Sequence, residues 1–331
     1  MKLLARTRRS AVPAALWEYL GMIVAVGLLV LVFSLVNKRF LSPASLQMTA
    51  NQYAQYLVVA VGMTFVLIVG GIDLSVGSVM GLSAAVLTVL MKHCDMPVAL
   101  AVPACLATGA LCGLINGLLI TTWALPSFIV TLGMMLSARG ATFLLTDSAT
   151  QYVGGRIAGI AETNLFGLSL PLLIALGAVV VGQFVLSRTV FGRRAIALGT
   201  NAEAVRLAGI SPRPIRTTVF VVSGLLAGAG AVFRTSRLRF ADPNAGTGFE
   251  LEVIAAVVIG GTSLMGGRGS VVRSFFGVVI IAVLTSGLNQ FGAPEPTKWL
   301  ITGAVIVAAA ILDHYRQRLK RDRSPPGGQS G

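Results

Sequence analysis

Two long stretches of this sequence are almost free of charge, and that limits what the chain can fold into. Between Phe40 and Met91 the one charged residue is Asp73, and between Asp95 and Arg139 lie 43 residues with none. A helix crosses a hydrocarbon layer of about 30 Å with roughly 20 apolar residues, so the second stretch is long enough for two crossings. Over all 331 residues, 55% are hydrophobic, 11% are charged and the mean hydropathy is +0.83. Soluble domains carry roughly 25% charged residues, so this chain cannot cover a soluble surface and the bilayer must act as part of its solvent. In lipid every backbone polar group must be bonded internally, which helices achieve within one segment. The sequence therefore predicts an all-α integral membrane protein.

Charges and turn residues divide the chain into about ten spans: 17–36, 53–70, 75–91, 97–120, 126–145, 169–187, 215–233, 252–266, 271–291 and 298–312. The eighth and tenth are short, which predicts tilted, interrupted or re-entrant segments. Residues 1–16 read as a basic cytoplasmic N-terminus, 17–312 as a polytopic membrane domain, and 313–331 as a basic, disordered cytoplasmic tail. The run from Tyr19 to Val36 has no small-x-small cleavage site at its end and is followed by Lys38 and Arg39, so it reads as a retained first span. With both termini inside, inner connections carry more Lys and Arg than outer ones by about two to one. The net charge of +14 thus reads as topology and contact with anionic lipid, not as a nucleic-acid surface.

Other chemistry is sparse. Cys105 and Cys112 lie in an apolar run, and the triplet His93-Cys94-Asp95 has no second cluster to complete a metal site. The histidines, His93 and His314, are far apart, and no G-x-x-x-x-G-K-[ST] phosphate loop occurs. No catalytic constellation, metal or bound cofactor is expected on this chain. Glycines recur within spans, as at Gly109, Gly113 and Gly117 and at Gly224, Gly228 and Gly230; such spacing serves close helix packing or lines a pathway.

Two stretches stand out. The first is "GGIDLSVGS", residues 70–78. Gly70 and Gly71 weaken a helix, each by about 1 kcal/mol against Ala. Asp73 and Ser75 bring acceptors for freed N–H groups, and Gly77 follows. The reading is a helix break, with a new helix starting near Leu74 or Ser75 and Asp73 as its N-cap. Contact of Asp73 or Ser75 with a polar solute, or a proton relay through Asp73, are the alternatives. Residues 258–270, "VIGGTSLMGGRGS", echo this stretch through Gly260 and Gly261, and paired glycine interruptions of this kind mark a transporter's pathway or gate. The second is the connection 192–216, in which Asn201 is placed to cap a short helix over 202–208 that Gly209 ends.

Glu203-Ala204-Val205, three residues, then Gly209 resembles the E-A-A-x-x-x-G coupling loop of ABC importer permeases, with Val in place of the second Ala. "AVGMTFVLIVGGIDLSVGSVMGLSA", "PSFIVTLGMMLSARG", "GLLAGAGAVF" and "PNAGTGFELEVIAAVVIGGTSLMGGRGS" resemble the ribose-type, monosaccharide branch of those permeases, over about residues 45–312. The resemblance implies the ABC importer permease fold of ten helices in the bacterial inner membrane. It implies a second permease subunit, identical or not, a cytoplasmic ATPase subunit that uses the ATP, and a periplasmic or lipid-anchored sugar-binding protein. It carries a docking role onto Glu203, Ala204 and Gly209. The rival reading is an ion-coupled secondary transporter of a small polar solute. That class usually holds ionisable groups within the membrane, and this chain offers only Asp73 and Arg139 there.

Overall fold

The computed structural model describes residues 14–165 and 167–322, which form a bundle of helices. In chain order these are α1 (Ala14–Val36), α2 (Pro43–Ile68), α3 (Val76–His93), α4 (Val98–Thr122), α5 (Ser127–Leu145), α6 (Ala158–Glu162), α7 (Leu170–Arg188), α8 (Val190–Thr200), α9 (Ala202–Leu207), α10 (Pro212–Leu238), α11 (Phe249–Ile259), α12 (Val271–Gln290) and α13 (Glu295–Asp322). Four two-residue strands, β1 (Gln151–Tyr152), β2 (Asn164–Leu165), β3 (Leu168–Ser169) and β4 (Phe240–Ala241), pair antiparallel as β1 with β4 and β2 with β3. Among the described residues, eight helices are long and apolar enough to cross a membrane: α1 to α5, α7, α10 and α12. The predicted eighth span is different. Its helix, α11, has 11 residues, about 16 Å, or half of a hydrocarbon core.

The central element is α2, buried without interruption from Leu57 to Ile68. It starts ten residues before the predicted span. Ser42 caps it, its hydroxyl accepting from Ser45 N at 3.3 Å, and Pro43 sits in the first turn, where no N–H is needed. A hydropathy reading misses this part because it carries Gln47, Asn51 and Gln52, yet Asn51 accepts from the Ser169 hydroxyl at 2.5 Å, and Gln55, the next amide along the helix, is buried. Helix α10 runs antiparallel to α2 and α4: Gly62 lies against Ser223, Gly109 against Gly224 and Gly113 against Phe220. A Cβ on Gly109 would overlap the Gly224 carbonyl, so these glycine rows serve backbone-close helix contact, the attraction available between helices in lipid. Peripheral α1 packs Phe33 onto α12 near Leu284 and turns residues such as Leu28, Leu31 and Leu35 outward.

Polar contacts define two ends of the bundle. At one, Asn37 donates to Gln290 (2.9 Å), Lys92 donates to Gln151 (2.9 Å) and Arg156 pairs with Asp95 (2.8 Å). At the other, Gly267 N donates to the Ile68 carbonyl (2.9 Å), and the Thr121 and Thr217 hydroxyls bond at 3.2 Å. Successive long helices alternate between these ends. One expectation changes here. The tail predicted as disordered from residue 313 is helical to Asp322, because α13 continues through the charged run; residues 323–331, like 1–13 of the N-terminus, lie outside the described residues.

Candidate functional site

Both glycine interruptions end a helix in the same way. Gly70 takes φ +74°, its N–H bonding the Leu67 carbonyl (3.0 Å) and the Gly71 N–H bonding that of Val66 (2.9 Å). Gly261 takes φ +80°, its N–H bonding Val258 (2.7 Å) and the Thr262 N–H bonding Val257 (3.2 Å). This is the Schellman motif, whose left-handed residue suits glycine. Structurally Gly70 therefore matches Gly261, one residue out of step with an alignment of the two Gly-Gly pairs. Gly260 has another role: a Cβ there would stand 2.5 Å from the Arg273 carbonyl of α12.

After Gly71 the chain runs back into the bundle without helical bonds. Ile72 N donates to the Ser127 hydroxyl (3.0 Å), Leu74 N donates to that of Thr131 (3.1 Å), and Thr131 donates to the Ile72 carbonyl (3.1 Å). Hydroxyls of α5 thus supply what lipid cannot. Asp73, 2% exposed, follows. Its Oδ1 accepts from Ser75 N (3.0 Å) and Ser75 Oγ (2.6 Å), its Oδ2 accepts from Ser223 Oγ (2.9 Å), and Asn116 Nδ2 donates to Ser75 Oγ (3.0 Å). The predicted helix start moves accordingly. Helix α3 begins at Val76 and Ser75, not Asp73, holds its cap position, because residues 72–74 are engaged by α5. Ser223 lies opposite Gly62, six residues or about 9 Å before the end of α2, so Asp73 lies that far inside the bundle.

A second non-helical segment enters from the opposite end. Residues 242–248 lead from β4 to Gly248 (φ +78°), where α11 starts. On the way Gly246 meets Gly77 of α3 backbone to backbone; a Cβ on either would overlap the other's carbonyl. Glu250 Oε2 lies 2.5 Å from where a Gly77 Cβ would stand. The N-termini of α3 and α11 thus converge in the interior, each with a carboxylate, Asp73 or Glu250, near its positive dipole end. Glu250 is 7% exposed, and Arg139 of α5 supplies the opposite charge acting on it. Among the described residues Glu250 Oε2, Arg139 Nη2 and Ser78 Oγ have no hydrogen-bond partner.

The connection 192–216, expected to be a loop with one short helix, is instead α8, α9 and the start of α10, so Arg213 and Arg216 are helical. Asn201 caps α9, its Oδ1 accepting from Ala204 N at 2.9 Å, and Gly209 (φ +76°) ends it. Glu203, Ala204 and Gly209 are all exposed, as is Leu207. The Arg206 guanidinium, 2.6 Å from Glu203, holds that carboxyl below the usual range. The far end of α8 presses on both breaks: Gly199 lies against the Ile68 carbonyl and Gly267 N, while Gly266 lies against Gly70. Beside this joint is a cavity of about 160 Å³ lined by Gly70, Gly71, Ile120, Arg216 and Phe220.

The sequence-predicted residues fall into three places. Gly70, Gly71, Asp73 and Ser75 form one continuous break, with Gly77 in the first turn of α3 behind it; Gly260 and Gly261 stop α11 at the α8 end; and Glu203, Ala204 and Gly209 stand exposed at α9. Sequence reasoning missed Ser223, Asn116, Thr131, Gly199, Gly246 and Glu250. Asn116 left a signal, as an amide inside a long uncharged run; a serine, threonine or glycine in such a run leaves none.

Membrane-length helices, two broken segments facing each other in the interior and a capped two-helix arm at one end define a polytopic membrane permease. The chain belongs to the family described as the permease component of the branched-chain amino acid transport system, matched over residues 45–310. It is 38% identical over 308 residues to the ribose import permease of Bacillus subtilis, covering 90% of this chain and 94% of that one. It is 36% identical over 297 residues to the ribose import permease of Haemophilus influenzae, covering 88% and 92%. It is 34% identical over 302 residues to the L-arabinose ABC transporter permease of Azospirillum brasilense, covering 91% and 89%. No solved structure matches the chain significantly.

Proposed function

We propose that this chain is the membrane-spanning permease subunit of a binding-protein-dependent ABC importer and forms the pathway for a monosaccharide or related polyol. The relatives are named as ribose and L-arabinose permeases, which supports the substrate class. One structural observation carries the mechanism: α9 stands exposed on α8, and α8 touches the end of α2 at Ile68, next to the first break, and Gly266–Gly267, in the turn that follows the second. An ATPase subunit seated on Glu203, Ala204 and Gly209 would move α8, and α8 would move both breaks together. The chemistry of ATP then belongs to that partner, and this chain is no enzyme. The arm lies at the cytoplasmic face of the inner membrane, as the excess of Arg and Lys there favours, with both termini cytoplasmic. With α11 and its preceding segment as one crossing and α13 as another, the crossings number ten. A second permease subunit completes the pathway, and a sugar-binding protein feeds the other end. Uptake into reconstituted vesicles is expected to need the ATPase, the binding protein and ATP. Sugar uptake by this chain alone on a proton or sodium gradient would instead establish the secondary-transporter reading.

A further inference from the structure

A second cavity of about 160 Å³ lies where the segment 242–248 meets α2, α10 and α11. Tyr56, Arg234, Asp242, Asn244, Phe249 and Glu252 line it. The Tyr56 and Phe249 rings stand 4.5 Å apart at 40°, and Tyr53 stacks behind Tyr56 at 4.8 Å, which makes a fixed aromatic wall. Glu252 faces the Tyr56 hydroxyl. Asp242 Oδ1 accepts from Asn244 N at 2.9 Å, which fixes the turn that presents both side chains. Arg237 lies close to Arg234 on α10.

The chemistry selects a ligand class. The two carboxylates oppose an anion, and the Arg234 guanidinium, with Arg237 close to it on α10, opposes a cation. Acceptors on Asp242 and Glu252, donors on Arg234 and both on Asn244 suit a neutral molecule with several hydroxyls. An aromatic wall suits its C–H face. The cavity is below the ~300 Å³ at which pockets for drug-sized ligands begin, as a small polyol requires. Gly246 lines the same cavity and touches Gly77 just after the first break, while Ala245 O would stand 3.0 Å from a Cβ on Gly81.

We propose that this cavity is a subsite for a neutral polyol, and that the Gly246–Gly77 contact transmits its occupancy to the break at 70–75. The proposal rests on the importer reading and locates a solute contact within it. The test uses the complete transporter in vesicles, with ribose, arabinose, fructose and allose as probes. Arg234→Gln and Glu252→Gln should each raise KM by about tenfold, the effect of one lost charge-assisted hydrogen bond, and should change the ratio of uptake between sugars. Equal loss for all four sugars, or no change, overturns the subsite and leaves the importer reading intact. If wild type takes up neither these sugars nor any other monosaccharide or polyol tested with the ATPase, binding protein and ATP present, both readings fall. Should those variants not fold, Thr247→Cys in a Cys94→Ser background decides. Labelling by a water-soluble maleimide should slow with the transported sugar and not with an untransported one, and unprotected labelling overturns the proposal.

Discussion

Asp73 shows how a carboxyl group is accommodated in an apolar interior. A buried carboxylate only accepts hydrogen bonds, and here all three contacts come from donors: Ser75 N, Ser75 Oγ and Ser223 Oγ. Bonds to a charged group contribute about 1.5–3 kcal/mol each, and leaving buried donors unpaired costs a similar amount. Asp73→Asn keeps one carbonyl acceptor, and the Ser223 hydroxyl can turn to meet the new amide. We expect it to lower stability by about 1 kcal/mol and uptake only modestly, whereas Asp73→Ala should cost about 3 kcal/mol. Thermal unfolding in detergent and uptake in vesicles read the two effects. A fully folded Asp73→Asn protein with no uptake would require the carboxylate's charge itself. The sequence showed that Asp73 was exceptional and tied it to a helix break. It did not show Ser223, because a serine 150 residues away leaves no mark until α10 is packed on α2.

At the scale of elements, the α8–α9 arm divides packing from exposure. Gly199 is a packing residue: a Cβ there would overlap the Ile68 carbonyl. Gly199→Ala should push α8 away from both breaks and lower uptake several-fold while the ATPase still binds, which co-purification tests. Gly209 is the opposite case, with φ +76° and nothing within 4 Å of an added Cβ. Gly209→Arg carries a local backbone strain of about 1–2 kcal/mol and leaves the fold of this subunit intact. The bulky side chain then stands on the exposed face of α9, and ATPase association should be lost. If association and uptake both persist in that variant, α9 is not the docking element. The capped helix over Ala202–Leu207 was legible because Asn201 and Gly209 are local signals. Helix α8 was not, since its glycines and arginines read as a solvated loop until the contact with α2 explains them.

At the scale of the molecule, the two broken segments come from opposite ends and meet at Gly77 and Gly246, which makes the interior a joint and not a continuous wall. Orientation across the bilayer can be checked with a native residue. Cys94 is exposed, whereas Cys105 and Cys112 are buried. With the arm cytoplasmic, a membrane-impermeant maleimide should label Cys94 in intact spheroplasts, and labelling confined to inverted vesicles would reverse the topology. The sequence by itself determined the solvent of this protein, the two glycine interruptions and the capped helix α9. Charge exclusion from lipid, helix caps and left-handed glycines act within one segment. Only the tertiary structure decided that the glycine rows of α4 and α10 face each other, that α8 rests on both breaks and that Asp73 is held by Ser223. Those contacts join residues far apart in the chain, and small or hydroxylated side chains in an apolar run look alike until a neighbouring helix distinguishes them.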